Sequence, residues 1–195
     1  MGEATALKLA IDLLHVPSRV RPMRSATLPG DVLTLLEIAA GNAEVTRQAS
    51  EATGRTQDVV RNAAAFFIEQ ILLAPGADSY RVLGGTAQTS SSDLRRNMAL
   101  LLRWLHPDME HNGSGDRSVF AGRITLAWED LKTAERRAAY DTVQQGRRTT
   151  SGARGKSGGR TGSKRGAHAG KFGHAEPPPG RLWRALLMLF GATRH

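Results

Sequence analysis

Apolar residues recur at three- and four-residue spacing through most of the first 141 positions, the period of helices with one buried face. Leu7, Ala10, Ile11 and Leu14 predict a helix over 3–14, which Pro17 keeps from extending far. The three prolines and unopposed Arg19, Arg21 and Arg24 of residues 16–30 read as an exposed connector. Asp31 is placed to cap a second helix over 32–40 that Gly41 ends, and a third spans 43–53 before Gly54. A fourth starts near Thr56 and runs to Pro75-Gly76 with Val60, Ala64, Phe67 and Ile71 as its stripe. Phe66, Ile68 and Leu72 widen that stripe past half the circumference, so this helix needs neighbours on two sides.

The helical period returns at Ser90, where capping-type residues precede a stripe of Leu94, Met98, Leu101, Leu102 and Leu105. Pro107 ends it, and a loop with two glycines and an asparagine turns the chain. A stripe of Phe120, Ile124, Ala127, Trp128 and Leu131 follows, and two such helices form an antiparallel hairpin with facing stripes. Trp128 is expected in the core. Residues 144–180 are poor in aliphatics and rich in Gly, Ser, Lys and Arg, which predicts a disordered linker ending in a Pro177-Pro178-Pro179 spacer. Residues 181–195 offer Leu182, Trp183, Leu186, Leu187 and Phe190 for a short terminal helix, marginal alone in water.

Charge changes this picture at one end. The chain has 27 Lys and Arg against 18 Asp and Glu, for +9. Residues 1–79 hold 7 basic and 9 acidic side chains, 80–141 hold 9 and 8, and 142–195 hold 11 and 1. The basicity therefore belongs to the tail, where it is a candidate for nucleic acid or an anionic membrane, although a solvated spacer is the simpler reading. Phe172 is the one aromatic there before the terminal segment, so base stacking has little to work with. With no cysteine in 195 residues, disulfides, thiolate metal sites and cysteine nucleophiles are excluded. The N-terminus lacks the basic opening of a secretory signal, and the apolar stretch 182–190 is about half a membrane span and contains Arg184. These features predict a cytoplasmic protein, with the tail as its candidate contact to a membrane periphery.

Residues 78–141 resemble a J domain, the defining module of DnaJ-type co-chaperones. The resemblance rests on Tyr80-Arg81-Val82-Leu83-Gly84, the leucine-striped helix running into His106-Pro107-Asp108, Ala127-Trp128 with Leu131, and the closing Arg136-Arg137-Ala138-Ala139-Tyr140-Asp141. It implies an all-α fold and docking on a DnaK-type chaperone ATPase whose hydrolysis is triggered, with no chemistry, cofactor or metal on this chain. His106, Pro107 and Asp108 would dock, with Asp108 offering a carboxylate to a partner arginine, and Arg95, Arg96 and Arg103 would steer the encounter. Arg136 and Arg137 are candidates for the same surface, although pairing with acidic residues near the hairpin base is the first reading for them.

Where the family pattern has a tyrosine, a Lys/Arg pair and a further basic residue, this chain has Met98, Ala99, Leu100 and Trp104. Phe120 also falls one position early. Leu100 and Trp104 thus make an apolar patch, either covered by the N-terminal helices, the favoured explanation, or open to a partner. A metal site from His106, Asp108, Glu110 and His111 is disfavoured, because no further ligands are identifiable. The expected organisation is a helical region over 1–75, a divergent J domain over 76–143, the linker over 144–180 and the terminal helix over 181–195. The expected task is co-chaperone action on a client the residues do not name, with a scaffold that has lost ATPase stimulation as the alternative.

Overall fold

The computed structural model describes residues 5–106 and 116–154, with side chains through 146, and every element among them is helical. The linker beyond 154, the terminal segment and the loop holding Pro107, Asp108, Glu110 and His111 lie outside the described residues. The helices are α1 (Ala6–His15), α2 (Val20–Met23), α3 (Val32–Ala39), α4 (Ala43–Thr53), α5 (Gln57–Phe67), α6 (Ser79–Val82), α7 (Ser91–Trp104), α8 (Arg117–Leu131) and α9 (Ala134–Arg154). None is long and apolar enough to cross a membrane.

Local signals set most boundaries. Thr56 and Ser90 cap α5 and α7 as expected, their hydroxyls accepting from the N–H groups of Val59 and Asp93. Asp31 does something else. Its side chain makes no bond to α3 and instead accepts from Ala6 N at 2.8 Å, so a residue expected to start the second helix satisfies the first turn of α1. The expected connector is also more ordered than its prolines suggest. Pro17 opens a 3-10 turn (Pro17–Arg19), and Pro22 falls in the first turn of α2, where its missing N–H costs no helical bond. Val20 is buried, and Arg24 clamps Gln70 through its backbone oxygen and its amide.

The expected fourth helix divides into α5 and a π-helical turn over Ile68–Leu72, closed by Leu73 N donating to Ile68 O at 2.8 Å. α5 finds its several neighbours in α1, α3 and α4. The core then continues without a break from α1, α3 and α5 into α7 and α8, across the Pro75-Gly76 turn where the expected boundary falls.

Two cations of the second half fasten this seam. Arg123 on α8 donates to the carbonyls of Leu73 and of Ala74 (2.6 Å), and Arg81 on α6 donates to Ala26 O. Burial depresses the pKa of both guanidiniums, and hydrogen bonds from a charged donor, about 1.5–3 kcal/mol each, offset that desolvation. α9 extends through Arg154, into residues expected to be linker.

Candidate functional site

The helices α6 to α9 position the residues singled out above. After α6 the chain turns through Gly84, whose φ of 64° suits glycine, while a Cβ on Gly85 would stand 2.7 Å from Leu94 Cδ2. This close approach sets α7 against the α6 turn, and buried Asn97 locks it there by donating to Leu83 O at 2.9 Å.

α7 lies between α3 and α8, so Leu94, Leu101 and Leu105 of the expected leucine stripe are buried and the enclosed surface also takes in positions off that stripe. Leu94, Asn97, Leu101 and Trp104 are buried, whereas Met98 and Leu102 are half-buried. Trp104 is 3% exposed and stacks on Phe120 with ring centroids 6.3 Å apart, while Leu100 is half-buried against the same core. On α8, Ile124, Ala127 and Leu131 are buried, but Trp128 reaches only the edge of the core, because the helix is apolar on more faces than its neighbours cover.

The opposite flank of α7 is cationic. Arg95, Arg96 and Arg103 are exposed; Arg96 pairs with Asp93 at 3.3 Å, and no ion pair or side-chain hydrogen bond among the described residues engages Arg95 or Arg103. Arg95, Ala99 and Arg103 stand four residues apart, one above another, leading toward exposed His106 just past the helix. The His106 N–H donates to Arg103 O at 3.0 Å, which ties the start of the loop to the last turn. Pro107 and Asp108 follow it in sequence, outside the described residues.

Arg136 and Arg137 are not brought to this end. They lie beyond the C-terminus of α8, at the far end of the hairpin from the Trp104–Phe120 contact. Arg136 bonds the Glu129 carbonyl and carboxylate at 3.0 Å. Arg137 reaches Tyr80 Oη at 2.9 Å and Ala87 O at 2.5 Å, with its guanidinium carbon 5.2 Å from the Tyr80 ring centroid. Tyr80 Oη also donates to Asp141 at 2.9 Å, and the two tyrosines meet edge to face as Tyr140 Oη accepts from Ser79 N. Burial, and then the bond to Asp141, push the Tyr80 pKa above its ordinary value. The closing sequence of the hairpin thus knots its base.

Arg81, Arg123 and Asn97 are positioning residues that the pattern along the chain did not reveal. The available signal was a polar residue on an otherwise apolar helical stripe, which does not say what it reaches.

No family model matches the chain, and no solved structure does. Two curated proteins are similar to part of it. "DnaJ homolog subfamily C member 16" of Homo sapiens is 37% identical over 75 residues, covering 38% of this chain and 9% of that protein. "Chaperone protein DnaJ" of Rickettsia bellii (strain RML369-C) is 34% identical over 64 residues, covering 33% of this chain and 17% of that protein. The relationship is to DnaJ-family proteins. The matched stretch spans less than a fifth of either relative's length, and an all-α hairpin of J-like form is what this chain shares with the expectation.

Proposed function

We propose that the chain is a J-type co-chaperone that docks on a DnaK-type ATPase and stimulates its hydrolysis. The observation that carries this reading is the cationic row of Arg95 and Arg103, without an ion-pair partner among the described residues, which leads along the open flank of α7 toward His106, the residue before Pro107 and Asp108 in sequence. The partial similarity to DnaJ-family proteins supports it. In this reading the row and Arg96 attract an acidic surface of the ATPase, Asp108 meets a partner cation, and Arg136 and Arg137 hold the hairpin's base. The chain performs no bond chemistry of its own, and its clients are a restricted set.

Steady-state ATP hydrolysis by a DnaK-type chaperone tests this, with the full chain expected to stimulate and His106→Gln expected to abolish stimulation without changing the melting transition. A second reading, a scaffold that binds the chaperone without activating it, is favoured by the uncharged Met98, Ala99, Leu100 and Trp104. Binding by the full chain with an unchanged hydrolysis rate would select it.

A further inference from the structure

The chaperone reading makes no use of the cavity beside the base of the hairpin. It has a volume of about 540 Å³ and is lined by residues 24–28 of the connector, 76–78 of the turn before α6, Tyr80 and Arg81 of α6, 85–88 of the turn after it, and Tyr140 to Gln145 of α9. All of these residues belong to one compact unit of the chain. Tyr80 is buried, whereas Arg24, Thr27, Gln88 and Gln145 are exposed, so the cavity runs from the surface down to α6. Pockets that take drug-sized molecules measure about 300–1,000 Å³, and this one falls among them.

Four of the lining side chains are charged, Arg24 and Arg81 against Asp78 and Asp141. None of them makes an ion pair among the described residues, yet hydrogen bonds hold each in place. Arg24 donates through Nε to Gln70 O and through Nη2 to the Gln70 amide oxygen, both at 3.0 Å, and Arg81 Nη2 donates to Ala26 O of the connector. Asp78 Oδ1 accepts from Arg81 N, and Asp141 Oδ1 accepts from Tyr80 Oη, both at 2.9 Å. Arg81 is half-buried, and its Nη1 has no hydrogen-bond partner among the described residues. A guanidinium taken this far from water without a paired carboxylate is a cost that a bound carboxylate would offset.

The balance of charge selects the ligand. Because two cations face two carboxylates, a polyanion or a polycation gains nothing from the cavity as a whole, and an apolar molecule would strand all four groups. A molecule that carries both signs at separate ends satisfies them. The rest of the lining is rich in hydroxyls and amides, from Ser25, Thr27, Thr86, Gln88 and Gln145, which donate and accept as peptide groups require. We propose that this cavity binds a short peptide with free ends, its carboxylate at Arg24 and Arg81 and its ammonium at Asp141. Peptides of this kind are supplied by peptide-bond hydrolysis. The ligand would touch both the connector ahead of α3 and the helix that closes the hairpin, so binding ties together segments more than 100 residues apart in sequence. This stands apart from the co-chaperone reading and does not need it.

Titration of the isotope-labelled full chain with trialanine, followed through backbone amide shifts by NMR, tests the proposal. Saturable shifts are expected at Thr27, Ala77, Arg81, Gln88 and Gln145, and none at Arg95 or Arg103 on the open flank of α7. Trialanine blocked at both ends, by acetyl and amide groups, should bind about ten-fold more weakly or worse, since it brings neither charge. Arg24→Gln changes an exposed side chain, so helical circular dichroism is expected to be unchanged while trialanine affinity falls about five-fold or more. Asp141→Asn should weaken trialanine but not N-acetyl-trialanine, which has no ammonium to lose. The absence of a saturable shift, shifts centred away from the cavity, or equal affinity for the doubly blocked peptide would each overturn the proposal. So would full affinity in Arg24→Gln, or an equal loss of both ligands in Asp141→Asn.

Discussion

Leu94, Asn97, Leu101 and Trp104 are each less than 5% exposed, whereas Arg95, Arg96 and Arg103, within about 100° around the same helix, stand in solvent. The covered flank of α7 meets α3 and α8, and the open one meets nothing among the described residues except the intrahelical pair of Arg96 with Asp93. A helix in a free hairpin has one packed side. Here the N-terminal helices supply a second through α3, while Leu100 and Trp104, at positions that are cationic in the J-domain pattern this stretch resembles, pack on the core, Trp104 against Phe120 of α8. Under the proposed co-chaperone reading, an apolar patch and a docking role are compatible, with stability resting on one flank and recognition on the other.

The strongest way to break this comparison is to remove the cover. A chain beginning at Ala77 lacks α3, whose Val32 and Leu36 approach Gly84, and also the carbonyls of Leu73 and Ala74 that Arg123 holds. Domains have about 5–15 kcal/mol of total stability, less than this much core is worth, so no cooperative thermal transition is expected by circular dichroism. Enhanced chaperone stimulation by that fragment is therefore not anticipated. A cooperative melt close to that of the full chain would show that the N-terminal helices are an accessory and not part of the core.

Within the intact chain, Leu101→Ala should cost about 2–5 kcal/mol in urea denaturation, since Leu101 is fully buried where α7 meets its neighbours. Asn97→Ala removes the bond to Leu83 O and should cost less, about 1–3 kcal/mol. Asn97 Oδ1 has no hydrogen-bond partner among the described residues, which places the change toward the lower end. Equal destabilisation at the two positions would mean that the polar lock, and not burial, holds α7 to the α6 turn.

What the sequence disclosed of this arrangement follows a physical division. Thr56, Ser90 and Gly54 announce helix ends through bonds or backbone angles formed within a few residues, and those ends stand where expected. Asp31, Asn97 and Arg123 act on partners 25, 14 and about 50 residues away, and nothing local in their surroundings points to those partners. The π turn at Ile68–Leu72 is likewise invisible to a pattern that assumes a constant 100° step. For the candidate site, the J-domain resemblance singled out Arg95, Arg96 and Arg103 and made Leu100 and Trp104 an anomaly. It did not show that Trp104 would be closed off by Phe120 on one side of a helix packed on two.

The hairpin's base offers a pH handle that leaves both flanks of α7 untouched. Tyr80 has its pKa raised above the ordinary 10.0, first by burial and then by its bond to Asp141, so folding favours the neutral phenol. The stability it contributes is present below about pH 10 and is lost as pH rises through the higher folded value. Tyr80→Phe should cost about 1 kcal/mol at neutral pH and flatten the decline above about pH 10. An unchanged alkaline decline would assign it to other groups.

The smallest stability effect belongs to the open flank, and it sharpens the comparison most. Arg95→Ala with Arg103→Ala removes no bond among the described residues and should move the unfolding free energy by no more than about 0.5 kcal/mol. If the row steers a DnaK-type ATPase, the same double change should slow association several-fold at low salt and lose that deficit as salt is raised, because exposed charges act on encounter and are screened. Arg136→Ala serves as the control: it removes a cation at the other end of the hairpin, one that Glu129 already occupies, and should leave the salt-dependent association rate alone. Equal slowing by both would mean that net charge, and not the row leading to His106, governs the encounter.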